Sequence, residues 1–580
     1  MVNQEIADIF HQISLFLEMD GVPFKPQAYR NAALAIESIS EDLREIYKKG
    51  GLEALNDIPG VGESIALKIE EYLKTGKIKY FEDLKKKIPV NIEELVAVEG
   101  IGPKAVKALW RHLKIKNLKD LENAAKKGLI RKLPNFGEKT EKNILQGIAF
   151  LKKTSGRFLL GDILPKVEEI ESLLRNLKEV EKISVAGSVR RKKETIGDID
   201  FLVVSKKSSK VMDYFCNLPG VIKIWGEGPT RSSVRFKDGF DADIRVVSKK
   251  SYGSALQYFT GSKEHNIAIR RLAIEKGLKL NEYGVFKGRK MIACQDEEEI
   301  YKILNLAYIK PEMRENRGEI EAASREFQGL SGGLPKLIDY QDIKGDLHCH
   351  SKWDGGANSI YEMAEEAIKM GYQYLGISDH TKFLRIEHGL DEKRLIMQRR
   401  EIDKVNQKLK TKNYKLKILQ GCEANILNDG SIDINDEALA KLDFVIAGIH
   451  SNFKMEKNKM TERMIKAMEN PNVDIISHPT GRILMKRDEY QIDFDKILKK
   501  AKEKGTILEI NSWPDRLDLN DVNIKKAKEA GVKMIINTDS HQRDQMRFIK
   551  FGIAQARRGW AEKEDIINSQ SLEKLLSFLK

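Results

Sequence analysis

Asp198 and Asp200 stand two residues apart in Gly197-Asp-Ile-Asp-Phe-Leu-Val-Val204. A strand repeats every two residues, so both carboxylates leave one face. The flanking Ile199, Phe201, Leu202, Val203 and Val204 favour a strand and can fill a core. Two acids side by side repel each other unless a cation lies between them. Hard oxygen ligands suit Mg²⁺, which takes one or two carboxylates plus substrate phosphates. Upstream, Gly187-Ser188 can offer backbone N–H groups and a hydroxyl to a phosphate, with Arg190 and Arg191 close behind. A third acid comes from Phe240-Asp-Ala-Asp-Ile-Arg-Val-Val247, where Asp241, Asp243 and Arg245 share one face. An Asp-x-Asp pair alone is usually a solvated pair. The Gly-Ser turn ahead of it, and Gly197 directly before the first acid, turn the reading toward nucleotidyl transfer.

A second chemistry begins near Ile343. Seven of the ten histidines lie beyond that point, six of them at strand-end positions. Gly345-Asp-Leu-His-Cys-His350, Tyr374-Leu-Gly-Ile-Ser-Asp-His380, Ile418-Leu-Gln-Gly-Cys-Glu423, Phe444-Val-Ile-Ala-Gly-Ile-His450, Val473-Asp-Ile-Ile-Ser-His478 and Met534-Ile-Ile-Asn-Thr-Asp-Ser-His541 are short apolar runs ending in metal-capable side chains. Most are separated by a helical stretch. Repeated strand–helix units predict a parallel barrel with its chemistry at the C-terminal strand ends. Imidazole with carboxylate suits Zn²⁺, Mn²⁺ or Fe²⁺. One such histidine would more often be a packed core residue, but six in register make that improbable.

The elements that carry these sites need several domains, since 580 residues exceed one core. Charged residues make up 32% and apolar ones 41%, a globular balance. A net charge of +14 favours a polyanionic partner. Cys216, Cys294, Cys349 and Cys422 are scattered, which argues against disulfides or a thiolate zinc site and fits a reducing cytoplasm. No apolar run approaches membrane-spanning length and the N-terminus has no signal-peptide pattern, so no membrane partner is expected. Residues 1–85 read as helices, with Ile6, Ile9, Phe10, Ile13, Phe16 and Leu17 at helical spacing. Ile58-Pro-Gly-Val-Gly-Glu-Ser-Ile-Ala66 and Val98-Glu-Gly-Ile-Gly-Pro-Lys-Ala105 repeat one element. Gly60 and Gly62, and then Gly100 and Gly102, permit a turn that points the next helix's free N–H groups at a DNA phosphate. A third copy has Asn135 in place of the first glycine and is doubtful. Such turns hold backbone and not bases, so binding is expected to be sequence-independent.

Gly187-Ser188, Arg191 and Gly197-Asp198-Ile199-Asp200, followed by Asp243-Ile-Arg245, resemble the palm of the family X DNA polymerases, the group that includes polymerase beta. Tyr258-Phe-Thr-Gly-Ser262 through Asn266 and Arg270 is similar to that family's thumb, with Lys263 where an acid is familiar. The C-terminal half resembles the polymerase and histidinol phosphatase (PHP) domain, and the order of all parts matches the bacterial and archaeal family X enzymes. The implied fold is multidomain α/β. It comprises a helix-hairpin-helix domain at 1–85, fingers with the second hairpin at 86–150, a nucleotidyltransferase palm at 151–247 and a thumb at 248–312. A linker at 313–342 and a distorted (β/α)₇ TIM-like PHP barrel at 343–580 complete it.

The resemblance further implies site residues. Asp198, Asp200 and Asp243 would be catalytic and hold Mg²⁺ or Mn²⁺. Arg157, Gly187, Ser188, Arg191, Gly197, Tyr258, Phe259, Gly261, Asn266 and Arg270 would surround the nucleotide. Lys25 and Tyr29 would sit beside Lys68, which is either a Schiff-base lysine of a 5′-deoxyribose-phosphate lyase or a surface helix lysine, and Ser64 replaces another basic phosphate contact. A monovalent cation could lie on the carbonyls of Asn56, Ile58 and Val61 and of Val96, Val98 and Ile101. The barrel would hold up to three Mn²⁺ or Zn²⁺ ions on His348, His350, His380, Glu423, His450, His478, Asp539 and His541. Asp354, one residue early against the usual run, is the ninth ligand candidate, and His388 matches no motif position. Together these imply a monomeric cytoplasmic, nucleoid-associated prokaryotic enzyme acting on gapped or primed DNA with deoxynucleoside triphosphates. It would fill gaps in base excision repair, with 3′-5′ exonuclease or 3′-end processing and AP-endonuclease activity in the barrel. The rival is a DNA-binding metallophosphoesterase whose polymerase half only positions DNA. With the two metal sites on separate cores beyond a flexible linker, they are expected to fail independently.

Overall fold

The computed structural model describes residues 2–579 except 39–41, 59, 99–100, 135, 155 and 294. The chain forms two compact units, Met1–Ser155 with Met485–Arg487, and the remainder. Gly100, Asn135 and Cys294 lie outside the described residues.

The first unit is helical. Gly62 and Gly102, both extended, cap the N-termini of helices Glu63–Thr75 and Pro103–Leu113. Gly60 adopts φ +83°, a conformation open to glycine at no steric cost. Each hairpin closes alike: the Val61 N–H donates to the Ile58 carbonyl at 2.9 Å and the Ile101 N–H to Val98 at 3.0 Å. The expected division at 85/86 does not separate two cores. Ile6, Phe10, Phe16, Phe81, Leu95, Leu109 and Ile148 belong to one buried cluster running across both hairpins, with Phe16 and Phe81 edge-on at 6.5 Å.

The second unit opens with helix Leu160–Arg175 and a five-stranded sheet. Its strands, in spatial order, are Lys182–Val185, Asp198–Val204, Asp241–Val247, Arg231–Phe236 and Val221–Glu227. The two central strands are parallel, pairing Asp198 with Asp241 and Asp200 with Asp243. One face packs Ile199, Phe201, Val203, Ala242 and Ile244 against the helices.

Within 313–342, expected to be a linker, residues 313–327 are folded, whereas 328–335 have no regular structure. The folded part carries helix Glu319–Phe327, and Met313 and Ala323 join Tyr301 and Ile309 in the thumb core. The charges that made this stretch look solvated are paired in the interior. Arg314 Nη1 lies 2.6 Å from Glu297, and Glu319 lies 2.7 Å from His265 Nδ1.

The barrel strands Gly345–Asp346, Tyr374–Ile377, Lys417–Gln420 continuing as Glu423–Asn425, Ile446–Gly448, Ile475–Ile476, Ile507–Asn511 and Met534–Asn537 are all parallel. Parallel bridges His380–Glu423 and Cys349–Ser540 close the ring. Counting 417–425 once gives the expected seven. Tyr374, Leu419, Phe444, Ile446, Ile475, Ile507 and Ile535, drawn from successive strands, form one packed cluster, as a filled barrel requires.

The palm core takes in residues of the barrel. Barrel residues Leu517 and Phe551 are buried within the palm cluster. Gly161 meets Pro514 so closely that a Cβ there would lie 2.4 Å from the proline ring. The main palm and barrel clusters stay distinct, and these residues join them at a packed contact.

Candidate functional site

In the palm, strand register sets the geometry. Asp200 and Asp243 are direct cross-strand partners, and Asp198 lies on the same face one pleat away. Burial, then the like charges of Asp198 and Asp243, push the Asp200 carboxyl up to about 7. Such crowding calls for a cation. Gly187 approaches Asp200 so closely that a Cβ would meet its Oδ2 at 2.2 Å, and Gly187 has φ +57°. Both facts demand glycine. Ser188 Oγ is buried with no hydrogen-bond partner, an orphaned donor that a phosphate oxygen would satisfy. A cleft of about 600 Å³ is lined by Arg157, Gly187, Ser188, Arg191, Lys193, Gly197, Asp198, Asp200, Tyr258, Phe259, Gly261, Asn266, Arg270 and Glu315, among others. All ten residues expected around a nucleotide line it. Lys193 and Glu315 were not anticipated.

Two neighbours resolve differently from the simplest reading. Arg190 does not face this cleft as a phosphate ligand. It is bound to Glu297 through Nη1 at 2.9 Å and Nη2 at 2.5 Å. Asp241 accepts from Arg235 Nη2 at 2.7 Å and Trp225 Nε1 at 2.9 Å. Arg231 Nη2 lies 3.1 Å from Asp243. Asn266 is held by Gln257 at 2.9 Å and by the Tyr258 carbonyl at 2.6 Å.

In the first unit, Lys68 Nζ donates to the Ser64 carbonyl at 2.9 Å and lies 5.9 Å and 5.5 Å from the ring centres of Tyr29 and Tyr80. Burial, opposed by Glu71 and assisted by the charge of Lys25, lowers its pKa. Tyr29 is pushed up to about 12 by burial and by Tyr80. Lys25, Tyr29 and Lys68 are thus neighbours, and Tyr80 joins them unforeseen.

In the barrel, Glu423 is the hub. Its Oε2 lies 2.8 Å from His380 Nδ1 and 3.3 Å from His348 Nε2, and its Oε1 lies 2.9 Å from His478 and 3.2 Å from His450 Nε2. Asp539 Oδ1 lies 3.3 Å from His350 Nε2 and 3.6 Å from His348 Nε2, and the His541 ring stacks on His350 at 4.0 Å. Ligand atoms of His348, His350, Glu423 and Asp539 converge within 4.8 Å, as do those of His380, Glu423 and His450, and of His350, His380 and His541. His348 Nε2, His350 Nε2, His380 Nδ1 and Glu423 Oε2 are buried without hydrogen-bond partners. Unpaired polar atoms facing one another in a buried site fit divalent cations. Burial opposes charge on His348, but Glu509, Glu423 and Asp539 outweigh it and raise its pKa well above the usual histidine value.

Asp354, the ninth ligand candidate, brings a carboxylate oxygen within 4.8 Å of ligand atoms of His350 and Asp379. Its Oδ2 accepts from His350 Nδ1 at 2.7 Å and the His380 N–H at 2.8 Å, so it orients His350 from behind. Glu509 does the same for His348 Nδ1 at 2.7 Å, and Asn425 for His450 Nδ1 at 2.7 Å. Such outer partners fix the ring tautomer. Sequence reasoning missed both Glu509 and Asn425, although a carboxylate inside the apolar run Ile507-Leu-Glu-Ile510 was a usable signal. Arg516 Nε, 3.7 Å from Asp539, carried no such signal. His388 is exposed and outside the cluster.

A Gly-Ser phosphate turn over three carboxylates, joined to a closed barrel with a polyhistidine centre, defines a metal-dependent enzyme of phosphate-ester chemistry. Family models agree with these parts: helix-hairpin-helix domain at residues 1–78, SAM-like helix-hairpin-helix tandem at 92–149, DNA polymerase beta thumb at 255–315 and PHP domain at 346–513. The chain is 36% identical over 585 residues to DNA polymerase/3′-5′ exonuclease PolX of Bacillus subtilis (strain 168), covering 100% of both proteins. Over 209 residues the chain is 35% identical to a "Probable phosphatase" of Clostridium acetobutylicum, 34% of this chain and 78% of that protein. A Thermoanaerobacter "Probable phosphatase" is 36% identical over 210 residues, again 34% and 78%. The chain belongs to the family X DNA polymerases that carry a C-terminal PHP domain.

Proposed function

We propose that the chain is a DNA-directed DNA polymerase filling short gaps in base excision repair, with a metal-dependent 3′-5′ exonuclease in the barrel. The observation that carries the reading is the single cleft joining Asp198 and Asp200 to the unsatisfied Ser188 hydroxyl and to Arg157, Arg191 and Arg270. Asp198, Asp200 and Asp243 would hold Mg²⁺ or Mn²⁺, and the barrel histidines with Glu423 and Asp539 would hold Mn²⁺ or Zn²⁺. Ions there supply acidity to a primer 3′-hydroxyl or to water and offset charge on phosphoryl oxygens.

The side chains do the rest. Arg157 and Arg191, with the Ser188 hydroxyl, orient the triphosphate. Tyr258 and Phe259 flank the sugar, and Asn266 and Arg270 meet the new base pair. Asp354, Glu509 and Asn425 keep one nitrogen of His350, His348 and His450 turned inward. The hairpin glycines present backbone N–H groups to DNA phosphates, and the carbonyls of Ile58 and Val98 would take a monovalent cation. Lys68, with its lowered pKa, is the amine for 5′-deoxyribose-phosphate release.

Primer extension and end-labelled degradation test the assignment. Asp200→Asn is expected to abolish incorporation with DNA affinity little changed. The double variant His348→Ala/His350→Ala is expected to stop 3′-end degradation and spare synthesis. Extension at the wild-type rate by Asp200→Asn would sink the palm assignment, and undiminished degradation by the double variant would place the nuclease elsewhere.

A further inference from the structure

Arg191 is tied to one residue of the barrel, directly through its backbone and through Glu315 by its guanidinium. Arg558, on helix Ile549–Arg558, donates from Nη1 to the Arg191 carbonyl at 2.8 Å and to Glu315 Oε1 at 3.1 Å. The same Glu315 oxygen accepts from Arg191 Nε at 3.2 Å. Backbone and guanidinium of Arg191 are therefore both referenced to a single barrel guanidinium. The far end of Arg558 is anchored by Asp521, which in turn meets Arg317 at 3.0 Å. The neighbouring Glu194 is held the same way, by Arg482 at 2.6 Å and by Gln555 Nε2 at 2.6 Å. The Arg558 side chain is 1% exposed and that of Glu315 13%, so these contacts are little screened by water. Arg191 Nη1 is spent on the Thr260 carbonyl and Nε on Glu315, which leaves Nη2 as the edge with protons to give an anion.

We propose that Arg558 and Glu315 are positioning residues for the nucleoside triphosphate, fixing Arg191 so that its remaining guanidinium edge faces the phosphate, and that the barrel is thereby a structural part of the polymerase nucleotide site. The proposal rests on the reading of the palm cleft as that site. A guanidinium on a flexible side chain loses affinity when its pose must be ordered at binding, and a fixed one does not. Glu315 also carries a defined ionic duty. Burial opposes its ionisation, but Arg558, Lys193 and Arg191 outweigh that and hold its carboxyl below the usual range. It is therefore an anion at neutral pH.

The test is gap filling by the full chain with Mg²⁺ and one deoxynucleoside triphosphate, measured alongside 3′-end degradation in Mn²⁺. Glu315→Gln keeps the shape and removes the charge, and Arg558→Gln removes the fork. Each is expected to raise KM for the nucleotide about tenfold with kcat changed less than about threefold, since charge-assisted bonds of this type are at stake. Degradation by the barrel, in which Arg558 itself sits, should stay within about twofold. The double variant should match the worse single one, because the two residues act in one chain. Arg558→Lys, which keeps charge but cannot span both acceptors, should recover part of the loss. An unchanged KM in Glu315→Gln, additive losses in the double variant, or degradation falling in step with synthesis would overturn the proposal. Asp200→Asn is run in parallel. Its retention of synthesis would overturn the palm reading, whereas its inactivity beside a normal KM in Glu315→Gln would sink the positioning role alone.

Discussion

Removing the charge of Glu297 should loosen the thumb from the palm at a calculable cost. Its carboxylate sits between Arg190, at 2.5 Å and 2.9 Å, and Arg314 Nη1 at 2.6 Å, and also accepts from the Tyr308 hydroxyl at 3.0 Å. The Glu297 side chain is 5% exposed and that of Arg314 is fully buried. Burial alone would raise the Glu297 pKa, but Arg314 and then Arg190 outweigh it and bring it from an ordinary 4.5 down to about 2. That displacement is about 3 kcal/mol of linkage. The folded pKa is depressed, so this stability is present in full above the unfolded pKa near 4.5 and is lost as pH falls toward 2. Glu297→Gln removes it at every pH and leaves the buried Arg314 and the part-buried Arg190 without their carboxylate, for a cost of about 3–5 kcal/mol at pH 7. Urea unfolding of wild type and variant at pH 7 and pH 3 is the assay. The difference between the proteins should be several kcal/mol at pH 7 and should shrink clearly at pH 3. A variant within about 1 kcal/mol of wild type at pH 7, or a gap that widens in acid, would refute the reasoning.

Gly187→Ala should cost synthesis roughly 100-fold, because its Cβ must displace Asp200 Oδ2 from 2.2 Å; primer extension reads this, and a mild effect would mean the turn can relax. Lys68→Ala should lower borohydride trapping of a 5′-deoxyribose-phosphate end and leave synthesis intact, while undiminished trapping would assign another amine. Phe551→Ala empties a buried site shared by palm and barrel and should destabilise by about 3–5 kcal/mol, lowering the melting temperature seen by both activities together; loss of degradation alone would contradict the shared contact.

Much of the chemistry was legible because it is written locally. A two-residue spacing on a strand put Asp198 and Asp200 on one face, and a glycine-bearing turn set each hairpin whatever lay around it. Each of six apolar runs ends in one or two barrel ligands, and the seven-stranded ring needed only parallel order to gather six histidines with Glu423. Backbone periodicity alone dictates such features. What the sequence left open were choices between partners distant in the chain. Glu509 and Asn425 reached His348 and His450 from other strands. Arg190, beside Arg191 in sequence, was drawn off by Glu297 more than a hundred residues away. The stretch 313–342 looked like a linker by composition, yet Arg314 and Glu319 lie buried on Glu297 and His265. Palm and barrel joined through Phe551, Leu517 and Arg558. A charged or apolar residue declares that it needs a partner, and only the closed tertiary structure, where burial makes an unpaired group costly, decides which partner it finds.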